Sequence, residues 1–125
     1  MKLPKPKKKR GKKFMELKIE KKPKFVKVEI SGRLVASCSE DLKEAVCREI
    51  EDCPNVLCDL SQMAHIDSSG LGVLVYILQK CRAAGGTCRL ACLQAHPKIV
   101  FDITKVVRVF EIYDTVADAE KAFEQ

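Results

Sequence analysis

At 125 residues the chain has the size of one domain that buries its own core, with no room for a second. Its longest apolar runs, such as residues 71–78, fall far short of the roughly 20 residues that cross a bilayer, and it opens on no hydrophobic signal region, so neither a membrane span nor secretion is expected and the chain reads as soluble and cytoplasmic. The net charge of +6 is unevenly held: residues 1–13 (MKLPKPKKKRGKK) carry 8 Lys and Arg and no acid, which leaves 15 basic against 17 acidic residues in the remainder.

Residues 1–13 have too little apolar content to order themselves and read as a disordered basic arm ahead of one folded domain over residues 14–125. Such an arm attracts nucleic acid or anionic lipid by counterion release. No aromatic or base-reading element accompanies its lysines, so no specific nucleic-acid partner is expected. Phe14 to Glu20 and Phe25 to Ile30 alternate apolar with charged residues on either side of Pro23, which predicts two paired strands, the second ended by Ser31 and Gly32. Ser37 and Glu40 stand at capping-box spacing before Leu42, Ala45, Val46 and Ile50, predicting an amphipathic helix to about Asp52, with Pro54 beyond it.

Val56 to Leu60 is a short, nearly continuous apolar run, the pattern of a strand buried on both faces. After a polar stretch, Leu71, Leu74, Val75 and Leu78 recur at helical spacing, so a helix from Ser69 to Ala84 is expected, stopped by Gly85 and Gly86. Ser68 or Ser69 would cap it. With the strand Thr87 to Leu93 this makes a β-α-β unit, which crosses over right-handed. Pro97 opens a short helix through Ile103, Arg108 to Ile112 reads as the last strand, and Thr115 with Asp118 caps a terminal helix whose apolar face is Val116, Ala119 and Phe123. The sum is an α/β single domain, a mixed sheet of about five strands with about four helices.

Seven cysteines are many for this length, but the number is odd and no CxxC pair occurs. Among Cys38, Cys47, Cys53, Cys58, Cys81, Cys88 and Cys92, those at 47, 58, 81, 88 and 92 sit within apolar patterns and read as buried, reduced thiols. His65, in a loop before the DSSG run, and His96, beside Pro97, have no ligand at metal spacing. No metal or cofactor is expected. Neither a G-x-S-x-G elbow, a GxxxxGK[ST] loop nor GxGxxG occurs, so the chain is not expected to be an enzyme.

The most informative stretch is DLSQMAHIDSSGLG, where Asp67, Ser68 and Ser69 crowd the start of a helix. A cap needs only one oxygen, worth about 1 kcal/mol, and this site offers three candidate residues. The run DLSQMAHIDSSGLGVLV resembles the signature of STAS domains, specifically the bacterial anti-sigma factor antagonists. The resemblance extends to Gly32 after FVKVEIS, to Gly85 and Gly86 before TCRLACL, and to the closing segment IVFDITKVVRVFEIYDTVADAEKAF, covering roughly Phe14 to Phe123. It implies a STAS-like fold and a protein-binding switch, in which an anti-sigma factor that is itself a serine kinase phosphorylates Ser68 and a phosphatase resets it. Unphosphorylated protein would sequester that kinase; phosphorylated protein would release it.

The implied partner surface comprises Asp67, which positions the acceptor, with Ser68, Ser69, Gly70, Leu71 and Arg33. Gly70 would allow close backbone approach, while Leu71 reads equally well as core. Where sporulation-type antagonists show an acidic GELD, this chain has Gly32, Arg33, Leu34 and Val35, which changes the sign of charge there. The same fold also serves a second reading, a STAS subunit of a lipid-transport ABC complex that docks without being phosphorylated. Nothing in the sequence decides an oligomeric state, and a monomer is the default.

Overall fold

The computed structural model describes residues 15–124, so the arm expected over residues 1–13 lies outside the described residues. Alternation of apolar and charged residues makes β1 (Met15–Lys21) and β2 (Val26–Leu34) an antiparallel pair, with Leu17 opposite Ile30 and Ile19 opposite Val28. Lys22 N donates to Phe25 O at 2.8 Å to close the turn around Pro23. Ser31 and Gly32 do not end β2. Gly32 takes a φ of +90°, open to glycine at little cost, and the strand continues through Arg33 to Leu34.

β3 (Val56–Ile66) runs parallel to β2 and is more than twice the length expected. The register explains why its second half reads as loop. Between the pairs Glu29–Asp59 and Ser31–Gln62, β3 advances three residues against two on β2, and between Gly32–Met63 and Arg33–His65 it advances two against one. Each extra residue is a bulge, and the Ser61 amide donates to Asp59 Oδ1 at 3.0 Å. Burial then falls on Leu60, Met63 and Ile66, a spacing of three that matches neither strand nor helix.

α1 (Ala36–Ile50) buries Leu42, Val46 and Ile50 as its periodicity predicts. Its cap is not the expected one: Val35 is the N-cap, and Ser37 and Glu40 lie within the helix without a capping bond. α2 (Ser68–Ala83) leads to β4 (Cys88–Ala91), parallel to β3 and shorter than expected because Cys92 turns away at a φ of +62°. α3 (Ala95–Thr104) begins two residues before Pro97 and ends on Lys105 in the left-handed conformation. The last strand, expected over Arg108 to Ile112, starts later: Arg108 closes a 3₁₀ turn over Val106–Arg108, and β5 (Glu111–Tyr113) pairs parallel to β4 only after it. α4 (Val116–Glu124) is capped as predicted, Asp118 N donating to Thr115 Oγ1 at 3.1 Å.

The sheet order is β1-β2-β3-β4-β5, with β1 alone antiparallel to its neighbour. α1 and α2 pack on one another over one face, where Val28, Ile30, Cys58, Leu60 and Leu90 meet Leu42, Val46, Leu74 and Ile77. α4 covers a smaller area of the other face through Phe25, Leu57, Ala91 and Ala119, and Phe123 stacks on Phe25 with centroids 5.2 Å apart. Among the described residues no helix is long and apolar enough to cross a membrane.

All seven cysteines are free thiols. Cys58, Cys81 and Cys88 are buried as expected, but Cys47 and Cys92 are half-buried and Cys38 is buried instead, its Sγ donating to Arg33 O at 3.1 Å. Cys58 Sγ and Cys88 Sγ lie 4.0 Å apart on adjacent strands. That contact and burial together push the Cys88 thiol up, and burial first of all pushes Cys81 up to about 12.

Candidate functional site

Asp67 leaves β3 in extended conformation, its amide donating to Leu34 O at 3.2 Å, and becomes the N-cap of α2. Its two carboxylate oxygens serve different helices. Oδ1 accepts from Gly70 N at 2.9 Å, in the first turn of α2, and Oδ2 accepts from Ala36 N at 3.1 Å, at the start of α1. One side chain thus satisfies orphan amides of two helices, which explains why α1 needs no cap of its own. The cap expected from Ser68 or Ser69 is therefore supplied by the residue before them.

Ser68 and Ser69 occupy the first two helical positions, exposed, and neither hydroxyl has a hydrogen-bond partner among the described residues. Free amides and the positive end of the helix dipole surround them, a setting that favours added negative charge. Arg33 is brought near: the carbonyl of the next residue, Leu34, receives the Asp67 amide, and Arg33 pairs in register with His65. His65 is thus a strand residue and not a loop residue, and its ring lies 5.8 Å from that of His96 in the first turn of α3. Among the described residues no three His, Cys, Asp or Glu side chains are grouped to hold a metal ion.

The two glycines of the motif do opposite things. A Cβ on Gly70 would lie 2.3 Å from Leu34 O, so this glycine lets α2 press against the end of β2. Leu71, 4% exposed, belongs to the core. Gly72 is exposed, and a Cβ there would meet nothing within 4 Å. A glycine inside a helix costs about 1 kcal/mol relative to alanine, and here no internal packing requires it.

Gly72 lies in the floor of an open groove of about 490 Å³ that starts at Ser68. Leu71, Val75 and Tyr76 of α2 form one wall, with Thr104 and Val106 opposite. Tyr76 is 36% exposed, with Lys43 Nζ 4.4 Å and Lys80 Nζ 6.0 Å from its ring centre. On α3, Ile99 and Ile103 are 54% and 73% exposed. Sequence periodicity assigned this face of α2 to a helix without marking it as a groove. The legible signal was Gly72 itself, a second glycine one step past Leu71.

A mixed five-stranded sheet with this helical cover and a DSSG turn at the start of α2 defines a STAS domain, and the STAS domain family model matches residues 16–119, so the chain belongs to that family. Among its relatives, the TM1081 homologue of Thermotoga neapolitana, named as a candidate anti-sigma factor antagonist, is 38% identical over 64 residues, 51% of this chain and 57% of that protein. The match thus spans little more than half of that relative. An anti-sigma factor antagonist from Mycobacterium paratuberculosis has a similar fold, with a TM-score of 0.80 at 21% identity over 89% of this chain and 95% of that one. The anti-sigma factor antagonist SpoIIAA in its unphosphorylated form gives 0.76 at 16% identity, over 86% and 95% of the two chains. Its phosphorylated form gives 0.69 at 16%, over 86% and 98%.

Proposed function

We propose that this protein is an anti-sigma factor antagonist that works as a phosphorylation-controlled binding switch, holding an anti-sigma factor kinase when Ser68 is unmodified and releasing it when Ser68 carries phosphate. The observation that supports this most is the division of labour at the start of α2: Asp67 does the capping, which leaves the Ser68 hydroxyl exposed and without a partner. A phosphate adds about −1.5 to −2 charges there, which the helix N-terminus tolerates. The cost falls on the complex, because a partner covering Ser68 must desolvate or repel the new charge, and a few kcal/mol is a hundredfold or more in affinity. Asp67, Ser69 and Arg33 belong to the same partner surface in this reading, with Arg33 presenting a positive charge at its edge.

Ser68 and Ser69 are alike in exposure, and the family resemblance is what favours Ser68. Intact mass after incubation with ATP and the anti-sigma factor kinase encoded in the same genome tests the choice. One added phosphate is expected on wild type and Ser69→Ala and none on Ser68→Ala. Absence of phosphate on all three, with a membrane transporter co-purifying, would overturn the switch in favour of a transport scaffold.

A further inference from the structure

We infer that the groove along α2 seats a helix of the protein partner, one with an apolar stripe flanked by acidic residues, and that Gly72 is the point of closest backbone approach. This rests on the binding-switch reading and adds where and by what chemistry the partner is held.

Two independent observations carry it. Gly72 weakens α2 without serving the fold, since a side chain there would point into open space; a glycine so placed allows a second backbone to come close. Around it the walls are apolar at Leu71, Val75 and Val106, and among the described residues no acidic side chain lines the groove. Lys43 and Lys80 flank Tyr76 at the end away from Ser68, and exposed Lys105 stands between Thr104 and Val106 on the opposite wall. From Ser68 to Gln79 the α2 wall is about 16 Å long at 1.5 Å per residue, enough for three turns of a facing helix. The pattern is that of helix-in-groove recognition, with basic rims selecting acidic flanks.

The test uses the full chain and the purified anti-sigma factor kinase of the same genome, with affinity and association rate measured for a panel of variants. Gly72→Leu is expected to bind at least tenfold more weakly while its helical signal and thermal midpoint match or exceed wild type. Tyr76→Ala, a truncation at an exposed position, is expected to lose about tenfold as well and keeps the test valid if Gly72→Leu folds poorly. Lys43→Glu with Lys80→Glu is expected to slow association about tenfold at low salt, with the difference fading as salt rises. If Gly72→Leu and Tyr76→Ala bind as wild type while Ser68→Asp does not bind, the groove inference is overturned and the switch survives. If the charge reversal leaves association unchanged, the acidic flanks are overturned. If wild type itself does not bind the kinase, both readings fall.

Discussion

Asp67, Gly70 and Gly72 lie within six residues of one another, yet each answers to a different demand. Gly70 has no room: its absent Cβ is occupied by the Leu34 carbonyl, a backbone atom that cannot swing away. Gly70→Ala should therefore destabilise the protein by about 1–3 kcal/mol through overpacking, whereas Gly72→Ala should stabilise it by about 1 kcal/mol through helix propensity. Paired urea denaturation curves check both, and equal effects would refute the contrast. Cys81 makes a second residue-scale case. Its thiol, lifted to about 12 chiefly by burial, stays protonated and should resist a thiol reagent in the native protein at pH 8 and react only on unfolding. Because the folded value lies above the unfolded one, its contribution to stability is full below the ordinary thiol value of about 8.5 and falls away as pH rises from there towards about 12.

At the scale of elements, the segments visible in the sequence are those whose burial follows one period. Val56 to Leu60 is buried throughout, and Leu42, Val46 and Ile50 mark α1 correctly. The rest of β3 was hidden because two bulges break its alternation, and the capping box of Ser37 and Glu40, though correctly spaced, loses to a carboxylate 31 residues away that no local pattern can anticipate. The start of the last strand was misplaced at Arg108 because Lys105, whose φ of +65° no local pattern marks, turns the chain first into a 3₁₀ turn that ends on Arg108. Beyond Gly72 the groove left no mark in the sequence, because its two walls meet only in the folded chain. Lys105 also offers a test. A residue with a side chain pays about 1–2 kcal/mol in the left-handed region, so Lys105→Gly should raise stability by about 1 kcal/mol in urea denaturation.

Across the whole molecule the two faces of the sheet are unequal, a broad core under α1 and α2 and a narrow one under α4. Arg89 fastens the narrow side: its guanidinium bonds Glu111 on β5 and lies 4.4 Å over the ring of Phe123 on α4. That hydrogen bond, more than any other cause, holds the Glu111 carboxyl below its ordinary range, so the stability it adds is present above about pH 4.3 and lost as pH falls through the depressed value. The carboxylate is largely in water, which limits the effect to a few tenths of a kcal/mol. Glu111→Gln should accordingly track wild type more closely at about pH 3 than at about pH 6, as read from urea midpoints. The bond from Ala36 N to Asp67 carries a different consequence, for observation of the site from a distance. The Ala36 amide belongs to α1 but senses the carboxylate next to Ser68, so its resonance in a nitrogen–proton correlation spectrum should shift on Ser68→Asp while amides near Cys88 stay still, which gives the site a built-in reporter that needs no attached probe and no partner.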